Sequence, residues 1–205
     1  MSFSNVGGNR VKKIVIGISG ASGSIYGIRC LETLNKLQIE SHVIISSSAE
    51  KTIEYETEYS VEQVKSLCSF VYDSNDIGAS ISSGSFHVDG MIIAPCSIKT
   101  LSSIANSFND NLITRAADVT LKEQRKLVLM VRETPLHLGH LRLMQSAAEN
   151  GAVILPPVPS FYHKPKSLDD IVNQSVGKAL DQFGIDARLF ERWSGLNKDE
   201  IITNL

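Results

Sequence analysis

The chain has 205 residues, of which 42% are hydrophobic, and a formal net charge of -2 at pH 7. A chain of this size can bury one substantial core, and its near-neutral charge excludes a general attraction to nucleic acid or to an acidic membrane. No apolar stretch approaches the ~20 residues of a membrane span, and the polar N-terminus lacks the apolar core of a signal peptide. The three cysteines, Cys30, Cys68 and Cys96, are too few and too far apart for a disulfide framework or a zinc site. We therefore expect reduced thiols in a cytoplasmic protein.

The first strand leads directly into a glycine-rich turn and an amphipathic helix. Residues 11–16 are an apolar strand, residues 17–23 read GISGASG, and apolar residues recur every third position from 25 to 37. The three glycines let the backbone turn sharply, while Ser19 and Ser22 offer hydroxyl donors. The N-terminus of the following helix attracts an anion. Because the pattern is not G-x-G-x-x-G, a dinucleotide is disfavoured, and a tight turn that binds nothing remains an alternative.

Strands and helices alternate along the rest of the chain. We predict strands at 42–46, 90–94, 126–131 and 152–155, helices at 49–55, after Thr100, at 109–124, 137–150 and 168–183, and a mobile Ser- and Gly-rich loop at 73–86. This alternation predicts a single-domain α/β fold, a three-layer Rossmann-like or flavodoxin-like doubly wound sheet of mainly parallel strands. The flavoprotein domain is expected to span 12–195, after a flexible N-terminus at 1–11 and before a C-terminal tail at 196–205.

Polar clusters follow four of the predicted strands. They are Ser19 to Ser22, Ser46 to Ser48, Ser97 to Thr100, and Arg132 with Glu133. Ligands of such sheets bind beyond the carboxyl ends of the strands, so these clusters predict one crevice. An arginine can hold a phosphate through two hydrogen bonds, and an adjacent carboxylate can exchange protons. The alternatives are a surface salt bridge for Arg132 and Glu133 and a plain helix cap for Ser97.

Three further features limit the chemistry. Arg115 lies in an otherwise apolar and small-residue helix, where a buried charge requires a partner. His137 and His140 are three residues apart but have no third ligand at a sensible spacing, so we expect no metal. Residues 152–162 read AVILPPVPSFY, a stiff apolar segment that should pack against another subunit or line an apolar pocket, with the Tyr162 hydroxyl at its edge.

Five segments together resemble the flavin prenyltransferases of the UbiX family, which an older name calls 3-octaprenyl-4-hydroxybenzoate carboxy-lyases. The segments are GISGASG, the SSGS loop, APCSIKTLSSIA, NLITRAADVTLKEQRKLVLMVRETPLHLGHLRLM and GAVILPPVPSFYHKP, matched in order from Lys12 to Trp193. The resemblance implies a homododecamer that uses no metal. It implies transfer of the dimethylallyl group of dimethylallyl phosphate to N5 and C6 of reduced FMN. The product, prenylated FMN, would serve a UbiD-type decarboxylase, as in ubiquinone biosynthesis.

The resemblance also implies roles for individual residues. The positions that match the FMN-binding residues of the family are Gly20, Ala21, Ser22, Ser46, Ser97, Ile98, Lys99, Thr100 and Arg132. Tyr162 and Lys178 match positions that bind the prenyl phosphate, although some relatives have at position 178 an arginine, whose planar two-point grip a lysine cannot make. The expected catalytic residues are Glu133 and Glu56 for proton handling, Ser22 for holding the leaving phosphate, and Lys122 and Arg115 near the active site, some of them supplied by neighbouring subunits.

Other functions remain open at this point. A flavin-dependent cysteine decarboxylase of the related fold usually carries Pro-x-Met-Asn, whereas this chain has Pro95-Cys96-Ser97-Ile98. A non-catalytic FMN carrier would not need the second set of ionisable residues, because storage of FMN requires no second anion site. Direct decarboxylation of an aromatic acid lacks an evident electron sink without the modified flavin.

Overall fold

One sheet of six parallel strands runs through the computed structural model, which describes residues 12–195. The strands are β1 (Lys13–Ile18), β2 (Glu40–Ile45), β3 (Phe70–Tyr72), β4 (Gly90–Cys96), β5 (Lys126–Val131) and β6 (Val153–Ile154). Their order is β3-β2-β1-β4-β5-β6, and every pair of neighbours is parallel. The strand order therefore reverses direction between β1 and β4, as in the Rossmann-type doubly wound sheet. The predicted α/β fold is confirmed.

Helices cover both faces of the sheet, and the sheet separates two apolar cores. The helices are α1 (Ser24–Lys36), α2 (Ser47–Glu56), α3 (Val61–Ser66), α4 (Ile98–Ala105), α5 (Leu112–Lys122), α6 (Leu138–Glu149) and α7 (Leu168–Asp181). One core joins α1, α2, α3 and α7 to Ile14, Ile16 and Ile18 of β1, whereas the other joins α4, α5 and α6 to Met91 and Ile93 of β4. Within residues 12–195, no helix is long and apolar enough to cross a bilayer.

The differences from the predicted elements have local causes. The strand β3 and the short helix α3 were not predicted; β3 has only three residues at the edge of the sheet, and Phe70 and Val71 stay half exposed. The helix predicted to begin at residue 109 begins at Leu112, because Asn111 caps it. Gly17 lies inside β1 rather than in the turn, and its missing side chain leaves room for Met91. The predicted ends, 1–11 and 196–205, lie outside the described residues.

Buried His42 makes the stability of this fold depend on pH. Its side chain is only 1% exposed; Nε2 lies 2.9 Å from Glu40 Oε1 and Nδ1 lies 3.0 Å from Tyr72 Oη. Burial lowers the pKa of His42 below its ordinary value of 6.5, although the nearby Glu40 carboxylate opposes the shift. Below pH 6.5 the unfolded chain therefore binds a proton that the folded chain does not. The free energy of unfolding consequently decreases as the pH is lowered.

We expect the free energy of unfolding to fall by up to about 1.4 kcal/mol per pH unit as the pH drops from 6.5 towards the lowered pKa of His42. Urea unfolding of the parent and of His42→Phe at pH 7.5 and 5.5 measures this effect, because the variant should lose part of the pH dependence. His87→Gln, at an exposed position, should keep the parental dependence. An unchanged slope in His42→Phe would assign the acid sensitivity to other groups.

Candidate active site

A cavity of about 450 Å³ opens where the strand order reverses, at the carboxyl ends of the central strands. Its lining combines the ends of β1 and β2, the loop after β3, and the starts of α4 and α5: Ser19, Gly20, Ser46, Ser47, Ser48, Ser74, Asn75, Ser97, Lys99, Thr100, Ser103, Asp110, Asn111 and Ile113. Parallel sheets bind their ligands at this position. Three of the four polar clusters predicted to form one crevice contribute to this cavity, whereas Arg132 and Glu133 do not line it.

Ser19 joins the two strands between which the cavity opens. Its Oγ donates a hydrogen bond to the Pro95 carbonyl at 2.7 Å and accepts one from the Ser97 amide at 2.8 Å. Pro95 has no N–H to give to the ladder, and the pairing of β4 with β5 is irregular between Ile93 and Cys96. The Ser19 hydroxyl is therefore committed to the backbone and does not serve as the free ligand donor that we predicted.

Three helices begin at the cavity. Ser46 Oγ accepts from the Ala49 amide at 3.1 Å at the start of α2, and Ser97 Oγ accepts from the Thr100 amide at 3.3 Å at the start of α4. At the start of α5, Asn111 Oδ1 accepts from the Thr114 amide at 3.1 Å. The positive ends of three helix dipoles and their remaining amide N–H groups thus converge on one space, which favours a bound anion such as a phosphate.

Gly20 allows two segments to approach closely at the floor of the cavity. A Cβ at this position would lie 2.4 Å from Ser48 Cβ, in the first turn of α2. Lys99 and Asp110 face each other on the cavity wall, with 3.5 Å between Lys99 Nζ and Asp110 Oδ2. Since Lys99 is largely exposed, this ion pair is screened by water and leaves the ammonium group available to a ligand.

A second group of predicted residues surrounds the start of α1. Gly23 caps α1 with a φ of 100° and no side-chain hydrogen bond, and its amide donates to Glu56 Oε2 at 2.7 Å. This contact places Glu56, at the end of α2, beside the Ala21-Ser22 turn. Arg132, at the end of β5, acts on the same region: burial raises the pKa of Tyr26 in α1, and the positive charge of Arg132 opposes that rise.

Glu133 is exposed beyond the end of β5. Its Oε1 accepts a hydrogen bond from the Thr134 amide at 3.0 Å, while the Arg132 amide donates to the Cys96 carbonyl at 3.1 Å and ties this segment to the end of β4. The carboxylate therefore stands at the same edge of the sheet as the cavity, with one of its oxygens held by the backbone. This arrangement suits a group that exchanges protons with a ligand at that edge.

The predicted basic residues of α5 contact the Ser- and Gly-rich loop. Arg115 Nε donates to the Ser82 carbonyl at 3.2 Å, and its Nη1 lies 3.4 Å from Asp118 Oδ2, so the partner that its charge required is present. Lys122 pairs with Glu123 and packs on Gly84. The loop predicted to be mobile is tied to α5 by these contacts and includes a short 3₁₀ helix at Ser80–Ser82.

Tyr162 and Lys178 lie outside the cavity lining. The Tyr162 ring meets the Trp193 ring edge to face at a centroid distance of 6.0 Å, and Lys178 is on the exposed side of α7. The His137 and His140 rings are in contact, with 3.6 Å between their centroids and a tilt of 35°, and His137 Nδ1 accepts from the Gly139 amide at the start of α6. Among the described residues, no group of three or more His, Cys, Asp or Glu side chains is placed to hold a metal ion.

The cavity thus unites some of the predicted site residues and adds others. Of the predicted FMN-binding positions, Gly20, Ser46, Ser97, Lys99 and Thr100 line it, while Ala21, Ser22 and Ile98 adjoin these positions in the chain. The sequence analysis missed Ser74 with Asn75, and Asp110 with Asn111. The first pair follows the unpredicted strand β3. The second pair precedes α5, and the preference of asparagine for helix N-caps is the sequence signal that marks Asn111.

The Rossmann-type sheet, with three helix N-termini converging on a polar cavity at its switch point, has the architecture of a nucleotide-binding α/β protein. Residues 3–180 match the family model described as Flavoprotein, so the class is that of the flavoproteins. A flavin prenyltransferase UbiX from Thauera aromatica is 65% identical over 189 residues, which are 92% of this chain and 97% of that protein. The chain belongs to the UbiX family of flavin prenyltransferases.

Two solved structures are similar in fold and sequence. AnUbiX in complex with FMN and dimethylallyl pyrophosphate is 50% identical, with a TM-score of 0.90, and the match covers 92% of this chain and all of that one. A dodecameric FMN-dependent UbiX-like decarboxylase from Escherichia coli O157:H7 is 45% identical, with a TM-score of 0.88, over 89% of this chain and all of that one. The chain is therefore a prenyltransferase enzyme of the flavoprotein class.

Proposed function

We propose that this prenyltransferase binds FMN in the cavity between β1 and β4, with the FMN phosphate at the converging starts of α2 and α4. The residues that would hold the flavin are Gly20, Ala21, Ser22, Ser46, Ser97, Ile98, Lys99, Thr100 and Arg132. The observation that carries the proposal is the convergence of three helix N-termini on one cavity of about 450 Å³.

The second anion site, for the prenyl phosphate, would combine residues of neighbouring subunits. Tyr162, Lys178, Lys122 and Arg115 supply hydroxyl and cationic groups, but in one chain none of them lines the cavity. In the segment that precedes Tyr162, the side chains of Val158 and Phe161 are 70% and 72% exposed. A neighbouring subunit would cover this apolar area. We propose that the chain forms a homododecamer, like its dodecameric Escherichia coli relative, and that assembly completes the site.

In the proposed reaction the allylic C–O bond of dimethylallyl phosphate breaks and the phosphate leaves with the bonding electrons. Reduced FMN, when bound, supplies the nucleophilic N5 and C6 atoms. Ser22, Lys122, Arg132, Tyr162 and Lys178 would hold the departing phosphate, with the cationic Arg115 nearby, so that positive charge lies where negative charge develops. Orientation of the two substrates in one site can contribute on the order of 7–11 kcal/mol.

Ring closure requires that the alkene of the transferred group gain a proton and that C6 lose one. Glu133 and Glu56 are two carboxylates near the ligand edge of the sheet, beside the end of β5 and the start of α1 respectively, and unlike Asp110 they have no cationic partner among the described residues of the cavity wall. We propose that these two groups, together with the departing phosphate, move the protons. The prenylated FMN product would then pass to a UbiD-type decarboxylase, as in ubiquinone biosynthesis.

Anaerobic incubation of the protein with reduced FMN and dimethylallyl phosphate tests the proposal. Mass spectrometry should show a flavin that has gained one five-carbon unit, and omission of the protein should abolish that product. A parallel reaction with dimethylallyl pyrophosphate, the compound present in the AnUbiX structure, tests which donor this chain accepts. If neither donor gives the adduct although FMN binds, the chain is a flavin carrier and the proposed donors are wrong.

The cysteine decarboxylase alternative has its own test. Such an enzyme would bleach oxidised FMN when a cysteinyl peptide is added, without any prenyl donor. The strand end Pro95-Cys96-Ser97 gives it no support, because Ser97 is used as the cap of α4. A bleaching reaction at the rate of prenyl transfer, or faster, would replace the proposed function.

We also propose that the protein works in a cytoplasm. All three thiols, Cys30, Cys68 and Cys96, are unpaired. Burial raises the pKa of Cys30 to about 12 and raises that of Cys96 further, so neither thiol is reactive at neutral pH. Localisation of a tagged, full-length chain by fractionation tests this proposal, and recovery outside the cytoplasmic fraction would contradict it.

A further inference from the structure

Arg125 donates two hydrogen bonds to the backbone of the Ser- and Gly-rich loop. It follows the end of α5 and is partly buried. Its Nη2 donates to the Gly84 carbonyl at 2.7 Å and its Nη1 donates to the Phe86 carbonyl at 2.9 Å. One planar guanidinium thus joins two carbonyls of the same turn, a geometry that a lysine cannot reproduce with one ammonium group.

The turn that Arg125 holds contacts both predicted catalytic cations of α5. The carbonyl of Ser82, two residues before Gly84, accepts a hydrogen bond from Arg115 Nε at 3.2 Å. On the other side, a Cβ added to Gly84 would lie 2.1 Å from Glu123 Oε1 and 2.9 Å from Lys122 Nζ. The turn therefore lies between Arg115 and Lys122, and its position limits where both cationic groups can point.

We infer that Arg125 is a positioning residue for prenyl transfer: it fixes the turn of residues 82–86, and through that turn it orients Arg115 and Lys122 towards the prenyl-donor phosphate in the site that they complete for a neighbouring subunit. This inference rests on the proposed function of those two cations. It assigns Arg125 no contact with FMN, because Arg125 lies at the amino end of β5, whereas the cavity opens at the carboxyl ends of the strands. Its loss should therefore affect the prenyl donor and spare the flavin.

The test compares steady-state prenyl transfer by the parent, Arg125→Ala, Arg125→Lys and the control Arg188→Ala. Arg188 is an exposed arginine whose Nε lies 3.9 Å from Asp186 Oδ2. We expect Arg125→Ala to raise the KM for the prenyl donor by about 5- to 10-fold, as the loss of two hydrogen bonds implies, with the Kd for FMN unchanged. Arg125→Lys should not restore the KM, whereas guanidinium ion added to Arg125→Ala should lower it.

Gly84→Ala perturbs the same turn on the side that faces Lys122, and it provides a second test variant if Arg125→Ala does not fold. Its added methyl group should displace Lys122 and raise the same KM without weakening FMN binding. A donor KM equal to that of the parent in either folded variant overturns the inference, as does an equal loss of FMN affinity, which would indicate a general structural role. Failure of the parent itself to transfer the prenyl group would refute the proposed function instead, so the two failures are distinguishable.

Discussion

Glu133→Gln is expected to bind FMN as the parent does and to lower the turnover number at least tenfold, within the ~10²–10⁴-fold range of general acid–base catalysis. The amide keeps the shape of the side chain, and its oxygen can still accept the hydrogen bond from the Thr134 amide that holds Glu133 Oε1 at 3.0 Å. It cannot accept or release a proton at neutral pH. The loss should thus fall on the chemical step and leave binding intact.

Stopped-flow or quenched turnover with reduced FMN and dimethylallyl phosphate measures this effect, and flavin fluorescence gives the Kd for FMN. Glu149→Gln is the matched control, since Glu149 is an exposed carboxylate at the far end of α6. Glu56→Gln, measured beside it, ranks the two candidate proton carriers. Parental turnover in Glu133→Gln would remove Glu133 from the proton path.

Gly20→Ala is expected to weaken FMN binding by about tenfold or more, since overpacking of a tight contact costs about 1–3 kcal/mol. The new Cβ would lie 2.4 Å from Ser48 Cβ, an atom bonded directly to the backbone of α2 that cannot rotate away. The start of α2 must therefore move, and with it Ser46 and the amide groups that face the cavity. The backbone at Gly20 does not have a positive φ, so the effect is steric rather than conformational.

The control for this substitution is Gly78→Ala, at another loop glycine. Its added Cβ would meet only Asp76 Oδ1, at 3.3 Å, which is the mobile end of a side chain. Fluorescence titration with FMN should distinguish the two variants, and thermal unfolding verifies that both are folded. Equal FMN affinities in Gly20→Ala and the parent would mean that the cavity between β1 and β4 is not the flavin site.

The regular elements of the central sheet could be predicted because burial dictates their composition. Residues 126–131 were predicted as a strand and form β5, since a parallel strand covered on both faces must be a nearly continuous apolar run. The edge strand β3 escaped prediction for the converse reason. It has three residues, its side chains are partly exposed, and its pairing with β2 depends on a partner 28 residues away in the chain.

The site was predictable where a polar residue both ends a strand and begins a helix. Ser46 and Ser97 satisfy both conditions, and both line the cavity. Ser19 was predicted to donate a hydrogen bond to a ligand, but only the fold brings the Pro95 carbonyl close enough to accept that hydrogen bond instead. Asn75 could not be assigned to the cavity, because it follows a strand that the sequence does not reveal, whereas Asp110 precedes a helix whose cap, Asn111, is a recognisable signal.

The sequence by itself determined the class of fold, the glycine-rich turn, the serine caps and the likeness to the flavin prenyltransferases, because each depends on residue types at short spacing. The tertiary structure decided which of those residues share a space. The order of strands in the sheet places the end of β1 beside that of β4, 76 residues along the chain from Ser19 to Pro95, and that order arises from packing two helical layers on one sheet. It also decided that Arg125 holds the loop, since carbonyl groups that accept hydrogen bonds leave no trace in residue type.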